Sequence, residues 1–141
     1  MLKIKSLKEK SEKLKEFEKI QWRLADIEHY GRETWKAKTY IFIAEEKDKR
    51  LGFIKFDIAA GVCHIEALLV SKAKRRIGVG KTLIEKAEKI SRKLKVHKIY
   101  LYTGKKWDST KFYESFGYEI AAIFPDHYGH QDFVQYAKFL K

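Results

Sequence analysis

A cluster of basic residues and glycines lies between an apolar run at residues 63–70 and an amphipathic stretch that begins at Val79. The run contains β-branched residues and predicts a buried strand, and the later stretch has the spacing of a helix. The first N–H groups of a helix have no partner inside it and its dipole is positive there, so anions bind at such a turn. Gly78 and Gly80 have no side chain and let a phosphate approach closely. The neighbouring cations are Lys72, Lys74, Arg75 and Arg76.

The spacing of these residues distinguishes between known phosphate-binding turns. A Walker A loop needs a glycine where Arg75 stands, and a dinucleotide fingerprint needs one where Leu83 stands. Residues 75–80, RRIGVG, instead resemble the R/Q-x-x-G-x-G/A signature of the GNAT acetyltransferase superfamily. The resemblance implies that this turn holds the pyrophosphate of acetyl-CoA. The residues it assigns to the cofactor are Arg75, Arg76, Ile77, Gly78, Val79, Gly80 and Lys81.

A second motif of the same family occurs at residues 110–118, TKFYESFGY. It resembles the family's helix A-x-x-F/L-Y-x-x-x-G-F/Y. Two departures occur before it, since Lys106 stands where the family often has an asparagine and Ser109 where it usually has an alanine. The asparagine's cofactor contact is therefore not transferred to Lys106.

The remaining periodicity predicts an element order that begins with helices, continues through strands, and ends with an antiparallel pair. At the N-terminus we expect a short edge strand at residues 1–5. A capping box at residues 6–9 then starts a helix that ends at Gly31 or breaks near Trp22. Further strands are expected at 39–44, 51–58, 63–70, 97–103, 118–124 and 132–140, with a helix from Val79 and a short one ending at Gly117. This order resembles the GNAT fold, an α/β (α+β) single domain over residues 1–141 whose mixed sheet of about six or seven strands is flanked by about four helices.

The family resemblance implies that an amine attacks the acetyl thioester of acetyl-CoA. Because an alkyl ammonium has a pKa near ~10, the amine must first lose a proton. Glu66, which lies in an otherwise apolar strand, is the first candidate for the base. His64 lies on the same face of that strand, and His64 or a water molecule is the alternative.

Two further needs follow from the same reaction. In the family a backbone N–H of the central strand, where neighbouring strands separate, stabilises the charge on the thioester oxygen. By position the residues involved are Leu68, Leu69 and Val70. Tyr113 matches the family's general acid, which protonates the departing thiolate close to the cofactor sulfur. A tyrosine that only packs in the core is the alternative.

Composition and charge limit the class of protein. The chain has 31 basic and 19 acidic residues, for a net charge of +12, and most of the excess lies near the predicted phosphate turn. A nucleic-acid-binding module would interleave its cations with aromatic residues on one surface, so nucleic acid is not the expected partner. That module and a non-catalytic CoA-binding protein of the same fold remain alternatives.

Other features set expectations for partners and compartment. The single cysteine, Cys63, suits a cytoplasmic protein and a core position. No apolar run is long enough for a membrane span. The late polar residues lack a metal-ligand spacing, so no metal is expected. The acceptor is expected to be a small-molecule amine or a peptide, and a homodimer is possible. Aromatic residues of the late loop and the first helices suggest an aromatic acceptor site, formed by Trp22, Tyr30, Trp35, His127 and Tyr128.

Overall fold

The computed structural model describes residues 1–75 and 77–141 and divides into two compact units, Met1–Lys36 and Ala37–Lys141. Arg76, one of the predicted cofactor-binding residues, lies outside the described residues. Among the helices that are described, none combines the length and the apolar character that a membrane crossing requires.

The first unit contains one helix, α1 (Glu12–Tyr30). The Ser11 side chain caps it by accepting a hydrogen bond from the Leu14 N–H at 3.2 Å, and Gly31 ends it in the left-handed region with φ of 75°. The prediction that the helix ends at Gly31 is confirmed, and it does not break near Trp22. The predictions of a strand at residues 1–5 and of a capping box at residues 6–9 were wrong. A short segment without a partner strand cannot satisfy its backbone, and Ser11 precedes the same apolar stripe as Ser6.

The chain after α1 is fixed to the end of that helix by a carboxylate. The backbone N–H groups of Thr34 and Trp35 donate to Asp26 Oδ2 at 2.5 and 2.8 Å. Arg23 and Glu33 form an ion pair between the same two segments. These contacts give the first unit its internal order.

The second unit is built on one six-stranded sheet with the spatial order β1-β2-β3-β4-β6-β5. Strands β3 and β4 run parallel, and all other neighbours are antiparallel. The prediction of a mixed sheet closed by an antiparallel pair is confirmed. The strands are β1 (Lys38–Glu46), β2 (Lys49–Ala59), β3 (Val62–Val70), β4 (Lys98–Gly104), β5 (Glu119–Phe124) and β6 (Phe133–Phe139).

Two helices pack against one face of this sheet. The crossover helix α2 (Val79–Lys93) connects the parallel strands β3 and β4, and α3 (Ser109–Ser115) follows β4. The chain therefore has three α-helices among its described residues, fewer than the four expected, because the N-terminal segment forms a single helix. The core between these helices and the sheet is made by Ile54, Phe56, Cys63, Ile65, Leu83, Ile84, Ala87, Tyr113, Val134 and Tyr136.

One charged residue of α2 lies inside this core. Glu88 is only 6% exposed, and its carboxylate accepts hydrogen bonds from the Tyr118 hydroxyl at 3.1 Å and from Lys138 Nζ at 2.8 Å. Burial raises the pKa of Tyr118, with Glu88 as a further cause, so the phenol stays protonated and can donate to the carboxylate. A buried charge is tolerated when it is paired in this way.

Candidate functional site

The two parallel strands of the sheet separate partway along their length. Pairing between β3 and β4 extends from Val62–Lys98 to His64–Tyr100 and then stops. Strand β3 nevertheless stays paired with β2 as far as Val70, and β4 stays paired with β6 as far as Gly104. The sheet therefore opens between β3 and β4, and the side of residues 65–70 that faces β4 has no partner among the described strands. This is the separation expected from the family resemblance.

A β-bulge lies at the start of this opening. Phe56 pairs with Ile65 and Lys55 pairs with Ala67, so Glu66 is the extra residue of β3. A bulge bends its strand and changes the direction of its side chains, and bulges are common beside active sites. The predicted base thus occupies the position where β3 turns away from β4.

The side chains of His64 and Glu66 lie on the face of the sheet opposite α2, as the alternation predicts, while Cys63 and Ile65 are buried in the core. The Glu66 Oε2 atom lies 2.9 Å from Lys55 Nζ, and the Glu66 side chain is 34% exposed. Hydrogen bonding to Glu66 raises the pKa of Lys55, so Lys55 is charged at neutral pH.

Asp57 joins this polar cluster, although the sequence reasoning missed it. It lies opposite His64 in the β2–β3 ladder, and the Thr39 hydroxyl of β1 donates to its Oδ1 at 2.5 Å. The pKa of Asp57 is lowered, mainly by a hydrogen bond with the Glu66 carboxyl and then by the Thr39 hydroxyl. A signal was present in the sequence, because a period of two places Lys55 and Asp57 together on one face of an apolar strand.

His64 is held by an aromatic stack. Its ring lies parallel to that of Tyr100, with centroids 4.5 Å apart, and meets Tyr102 edge-on at 5.8 Å. Burial lowers the pKa of His64, although Glu66 and Asp57 oppose that shift. The imidazole is therefore neutral at pH 7, which leaves one ring nitrogen able to accept a proton.

A row of aromatic rings continues from this stack toward the late loop. Tyr102 contacts Phe124 at 5.5 Å, Phe124 contacts His127 at 5.6 Å, and His127 contacts Tyr128 at 4.4 Å. Two of the aromatic residues predicted for the acceptor site, His127 and Tyr128, thus connect to the polar cluster. The other three, Trp22, Tyr30 and Trp35, belong to the first unit.

Tyr113, the predicted acid, lies on α3 on the helix-covered face of the sheet. Its residue is 7% exposed, and its ring contacts Phe112, Tyr118 and Tyr136 with centroids 5.2, 5.9 and 6.1 Å apart. Burial raises the pKa of Tyr113 to about 12, so the phenol is neutral and holds a proton that it can donate. Glu66 and Tyr113 therefore lie on opposite faces of the sheet. The opening separates β3, which carries Glu66, from β4, which leads into the helix that carries Tyr113.

The start of α2 offers backbone N–H groups and open space to an anion. Gly78 is the N-cap with φ of 91°, and no described side chain caps the helix or places an acid in its first turn. The first helical bond runs from the Thr82 N–H to the Gly78 carbonyl at 3.0 Å, which leaves the N–H groups of residues 79–81 without a partner inside the helix. A Cβ atom at Gly78 would meet nothing within 4 Å, so the glycine serves the backbone conformation and leaves open space.

Gly80 serves a different purpose from Gly78. A Cβ atom there would lie 3.2 Å from Phe112 Cε1 and 3.6 Å from Val70 Cγ2. The missing side chain therefore lets the first turn of α2 pack closely on α3 and on the end of β3. The sequence alone predicts for both glycines only the close approach of a phosphate.

The other predicted cofactor residues cluster where β3 leads into α2. Arg75 Nε donates to the Val70 carbonyl at 3.3 Å, which ties the basic turn to the end of the strand. Arg75, Ile77 and Lys81 are exposed, while Leu68 and Val70 are half-buried and Leu69 is exposed. The structure thus brings residues 68–70 next to the turn, within one strand end and one helix start.

The opening, the turn and the polar cluster together provide the parts of a group-transfer site. One face offers carboxylates and a neutral imidazole, the other a neutral phenol, and the turn offers positive charge and free N–H groups. In a group-transfer reaction, the acceptor would lie at the face with the carboxylates and the donor would reach the opening from the face with the phenol. Such a reaction would use the polar cluster, the phenol and the turn. Among the described residues, no group of three or more His, Cys, Asp and Glu side chains could hold a metal ion.

Several solved structures share this fold. An acetyltransferase from Bacillus cereus ATCC 14579 matches with a TM-score of 0.79 and 19% identity, covering 96% of this chain and 98% of that one. The ribosomal-protein-S18-alanine N-acetyltransferase of Escherichia coli matches with a TM-score of 0.65 and 20% identity, covering 73% and 70%. A proposed streptothricin acetyltransferase from Bacillus anthracis str. Ames, solved with acetyl coenzyme A, matches with a TM-score of 0.67 and 26% identity, covering 74% and 64%.

The sequence comparison with protein families agrees with the structural one. No protein of curated function matches the sequence. The model of the acetyltransferase (GNAT) family matches residues 7–118, most of the chain. That match includes the glycine turn, the bulged strand and the helix that carries Tyr113. The chain is therefore an acetyltransferase of the GNAT family.

Proposed function

We propose that the protein transfers an acetyl group from acetyl-CoA to a primary amine by direct attack in a ternary complex. The observation that carries this proposal is the opening between β3 and β4, which has a polar cluster at one face and the anion-binding turn at its end. Two of the structural neighbours are named for ribosomal protein S18 alanine and for streptothricin, and the first name specifies transfer to nitrogen.

The turn at residues 75–81 is proposed to hold the pyrophosphate of acetyl-CoA. The fit rests on the uncapped start of α2, the open space at Gly78, and the exposed cations Arg75 and Lys81. Backbone N–H groups at a helix N-terminus bind phosphate without a dedicated side chain, and the cations add attraction for the same anion. Cofactor held there would lie beside the end of β3, because Arg75 of the turn hydrogen-bonds to the Val70 carbonyl of that strand.

Glu66 is proposed to take the proton from the acceptor ammonium, directly or through water. Its position at the bulge places a carboxylate at the mouth of the opening. His64, with its neutral imidazole, is the second candidate for the same step. The free amine then forms a C–N bond to the thioester carbon, and the carbonyl oxygen gains negative charge. A backbone N–H among residues 68–70, where β3 has no partner on its β4 side, would stabilise that charge, and such a donor contributes about 3 kcal/mol.

Collapse of the intermediate breaks the C–S bond and leaves a thiolate on CoA. Tyr113 is proposed to donate its phenolic proton to that thiolate, since burial keeps the phenol protonated at neutral pH. The nitrogen releases its second proton to solvent as the amide forms, and Tyr113 regains a proton from solvent. The products are an N-acetyl amine and CoA, and the proton on Glu66 also returns to solvent. We assign the whole chain, residues 1–141, to one acetyltransferase domain because the family match begins in the first unit and ends in the second.

The proposal is tested by cofactor binding and by turnover. Saturating CoA at about a hundred times its Kd is expected to stabilise the fold by about 2.7 kcal/mol, seen as a rise in Tm. Thiol release from acetyl-CoA is then measured with an alanine-terminated peptide, a lysine peptide, spermidine, kanamycin and streptothricin. At least one acceptor is expected to release CoA and to gain 42 Da by mass spectrometry, the mass of an acetyl group in place of a proton.

A matched pair of variants locates the cofactor. Lys81→Glu reverses a charge in the first turn of α2, and Lys89→Glu makes the same change two turns later on the exposed side of that helix. We expect Lys81→Glu to weaken CoA binding by roughly tenfold or more and Lys89→Glu to bind like the wild type, because exposed charge pairs lose strength with distance. A melt that CoA does not move, together with no thiol release, would refute acetyl transfer. Salt-sensitive binding of DNA or RNA without any CoA effect would favour a nucleic-acid module.

A further inference from the structure

We propose that Asp57 is the positioning residue of the acceptor site, a second carboxylate that orients Glu66 and accepts a hydrogen bond from it once Glu66 has taken the proton of the amine. This inference rests on the proposed function, since it assigns a role within the same acetyl transfer. It adds a residue of β2 to a site that was otherwise assigned to β3 and α3.

The geometry places the two carboxylates on one face of neighbouring strands. Asp57 is the cross-strand partner of His64, and Glu66 lies two residues beyond His64 on the same face. Each carboxylate also has a polar partner of its own. The Thr39 hydroxyl donates to Asp57 at 2.5 Å, and Lys55 Nζ forms an ion pair with Glu66 at 2.9 Å. These contacts hold both groups against free rotation, and the neighbouring Glu66 carboxyl is the main cause of the lowered pKa of Asp57.

The charges of the cluster favour a cationic acceptor. Two carboxylates and one ammonium, from Asp57, Glu66 and Lys55, leave one net negative charge beside the opening. The neighbouring groups are the Thr39 hydroxyl and the neutral ring of His64, and the latter stacks on Tyr100. Neither of these two groups carries a positive charge. Lys98 lies beyond them, with its Nζ 5.8 Å from the centroid of the Tyr100 ring. An alkyl ammonium that enters beside Asp57 and Glu66 would balance their remaining negative charge.

The same pair explains how a proton can be held after transfer. When Glu66 takes the proton of the ammonium, it becomes a donor, and the ionised Asp57 can accept a hydrogen bond from it. Asp57 is suited to stay ionised because its pKa is lowered by its hydrogen-bond donors. Hydrogen bonds to charged groups are the stronger ones, so this contact stabilises the protonated base.

Kinetics of Asp57→Asn test the role directly, with Asp48→Asn as the matched control. Asp48 lies in the turn before β2 with φ of 65°, a conformation that asparagine tolerates, so the control makes the same chemical change away from the site. With the fastest acceptor of the panel, kcat/KM of Asp57→Asn is expected to fall by about tenfold to a hundredfold at neutral pH, the loss of one charge-assisted hydrogen bond. Its acid limb is expected to move to lower pH, because the protonated base has lost its acceptor. A merely structural role for Asp57 would leave that limb in place.

A titration that does not depend on turnover keeps the inference testable even if the variant folds poorly. Carboxyl carbons of the wild type are followed by NMR after ¹³C labelling of Asp and Glu. Two interacting carboxyl groups titrate as a pair, so the signals of Asp57 and Glu66 are each expected to show two inflections at matching pH values.

The outcomes separate the inference from the proposed function. Coupled titration together with the displaced acid limb supports the positioning role. Turnover with independent, single-step titrations overturns the role of Asp57 and leaves acetyl transfer standing. Coupled titration in a wild type that acetylates none of the acceptors overturns acetyl transfer and, with it, the role assigned to Asp57.

Discussion

Replacement of Tyr113 by phenylalanine separates catalysis from packing at this position. The variant removes one oxygen and keeps the ring, whose contacts with Phe112, Tyr118 and Tyr136 hold it on the helix-covered face of the sheet. No described residue forms a hydrogen bond with the Tyr113 hydroxyl, so little polar interaction is lost. The free energy of unfolding is expected to change by less than about 1 kcal/mol.

The expected effect on the chemical step is much larger. A positioned general acid contributes about 10² to 10⁴ in rate, which corresponds to about 2.7 to 5.4 kcal/mol of activation free energy. Because the pKa of Tyr113 is raised to about 12, the phenol stays protonated throughout the neutral and mildly alkaline range. A basic limb caused by loss of this proton is therefore expected only as the pH approaches that value, and the wild-type rate should not fall through it near pH 8 or 9.

Single-turnover acetyl transfer measures this step apart from product release. The rate of Tyr113→Phe is compared with that of the wild type using acetyl-CoA and an analogue whose leaving thiol is more acidic. The deficit should shrink with the analogue, because a more stable thiolate needs less protonation. Calorimetry with CoA checks that the cofactor still binds, and urea unfolding checks the fold.

Two results would refute the reasoning about Tyr113. A rate within about twofold of the wild type would mean that the tyrosine only packs in the core. A parallel loss of CoA affinity and rate would make the hydroxyl a binding contact in place of an acid. Only a loss of rate with preserved affinity supports the assigned role.

Two further predictions concern the base and the loop before α3. Glu66→Gln should remove the acid limb of kcat/KM at low amine concentration, where the wild-type rate falls as Glu66 becomes protonated; an unchanged pH profile would assign the base to His64 or to water. Gly104→Ala would place a Cβ atom 2.3 Å from Trp107 Cε2, so the indole must move and lose its 2.9 Å hydrogen bond to Gln131. We expect a loss of about 1 to 3 kcal/mol in urea unfolding, and an unchanged midpoint would contradict this packing argument.

The sequence by itself determined the central part of the site. Strand β3, the turn and α2 were predictable because each depends on local patterns: an apolar run, cations with glycines, and a helical stripe. The alternation that places His64 and Glu66 on one face is likewise a property of any strand. The two motifs at residues 75–80 and 110–118 led to the family before any fold was known, and the family match confirms it.

Local signals failed at the N-terminus for a physical reason. Two serines five residues apart can each accept a hydrogen bond from a first-turn N–H, and the helix uses Ser11, the later one. The segment at residues 1–5 has strand-like composition, but a strand exists only where a neighbour satisfies its backbone. The residues next to each serine do not determine which of the two caps the helix, and the residues of the 1–5 segment do not determine whether a neighbouring strand is present.

Only the tertiary structure decided which residues from distant parts of the chain meet. The bulge at Glu66 arises from the register between β2 and β3, and a register depends on all the cross-strand pairs at once. Asp57 enters the site through that pairing, and β6 lies between β4 and β5 because the last hairpin folds back into the sheet. Glu88 is buried because Tyr118 and Lys138, far along the chain, supply its hydrogen bonds. Short-range patterns determine which side chains of one strand share a face. Long-range pairing determines which strands are neighbours, and so which side chains from distant parts of the chain lie together. The chemistry of this site depends on both.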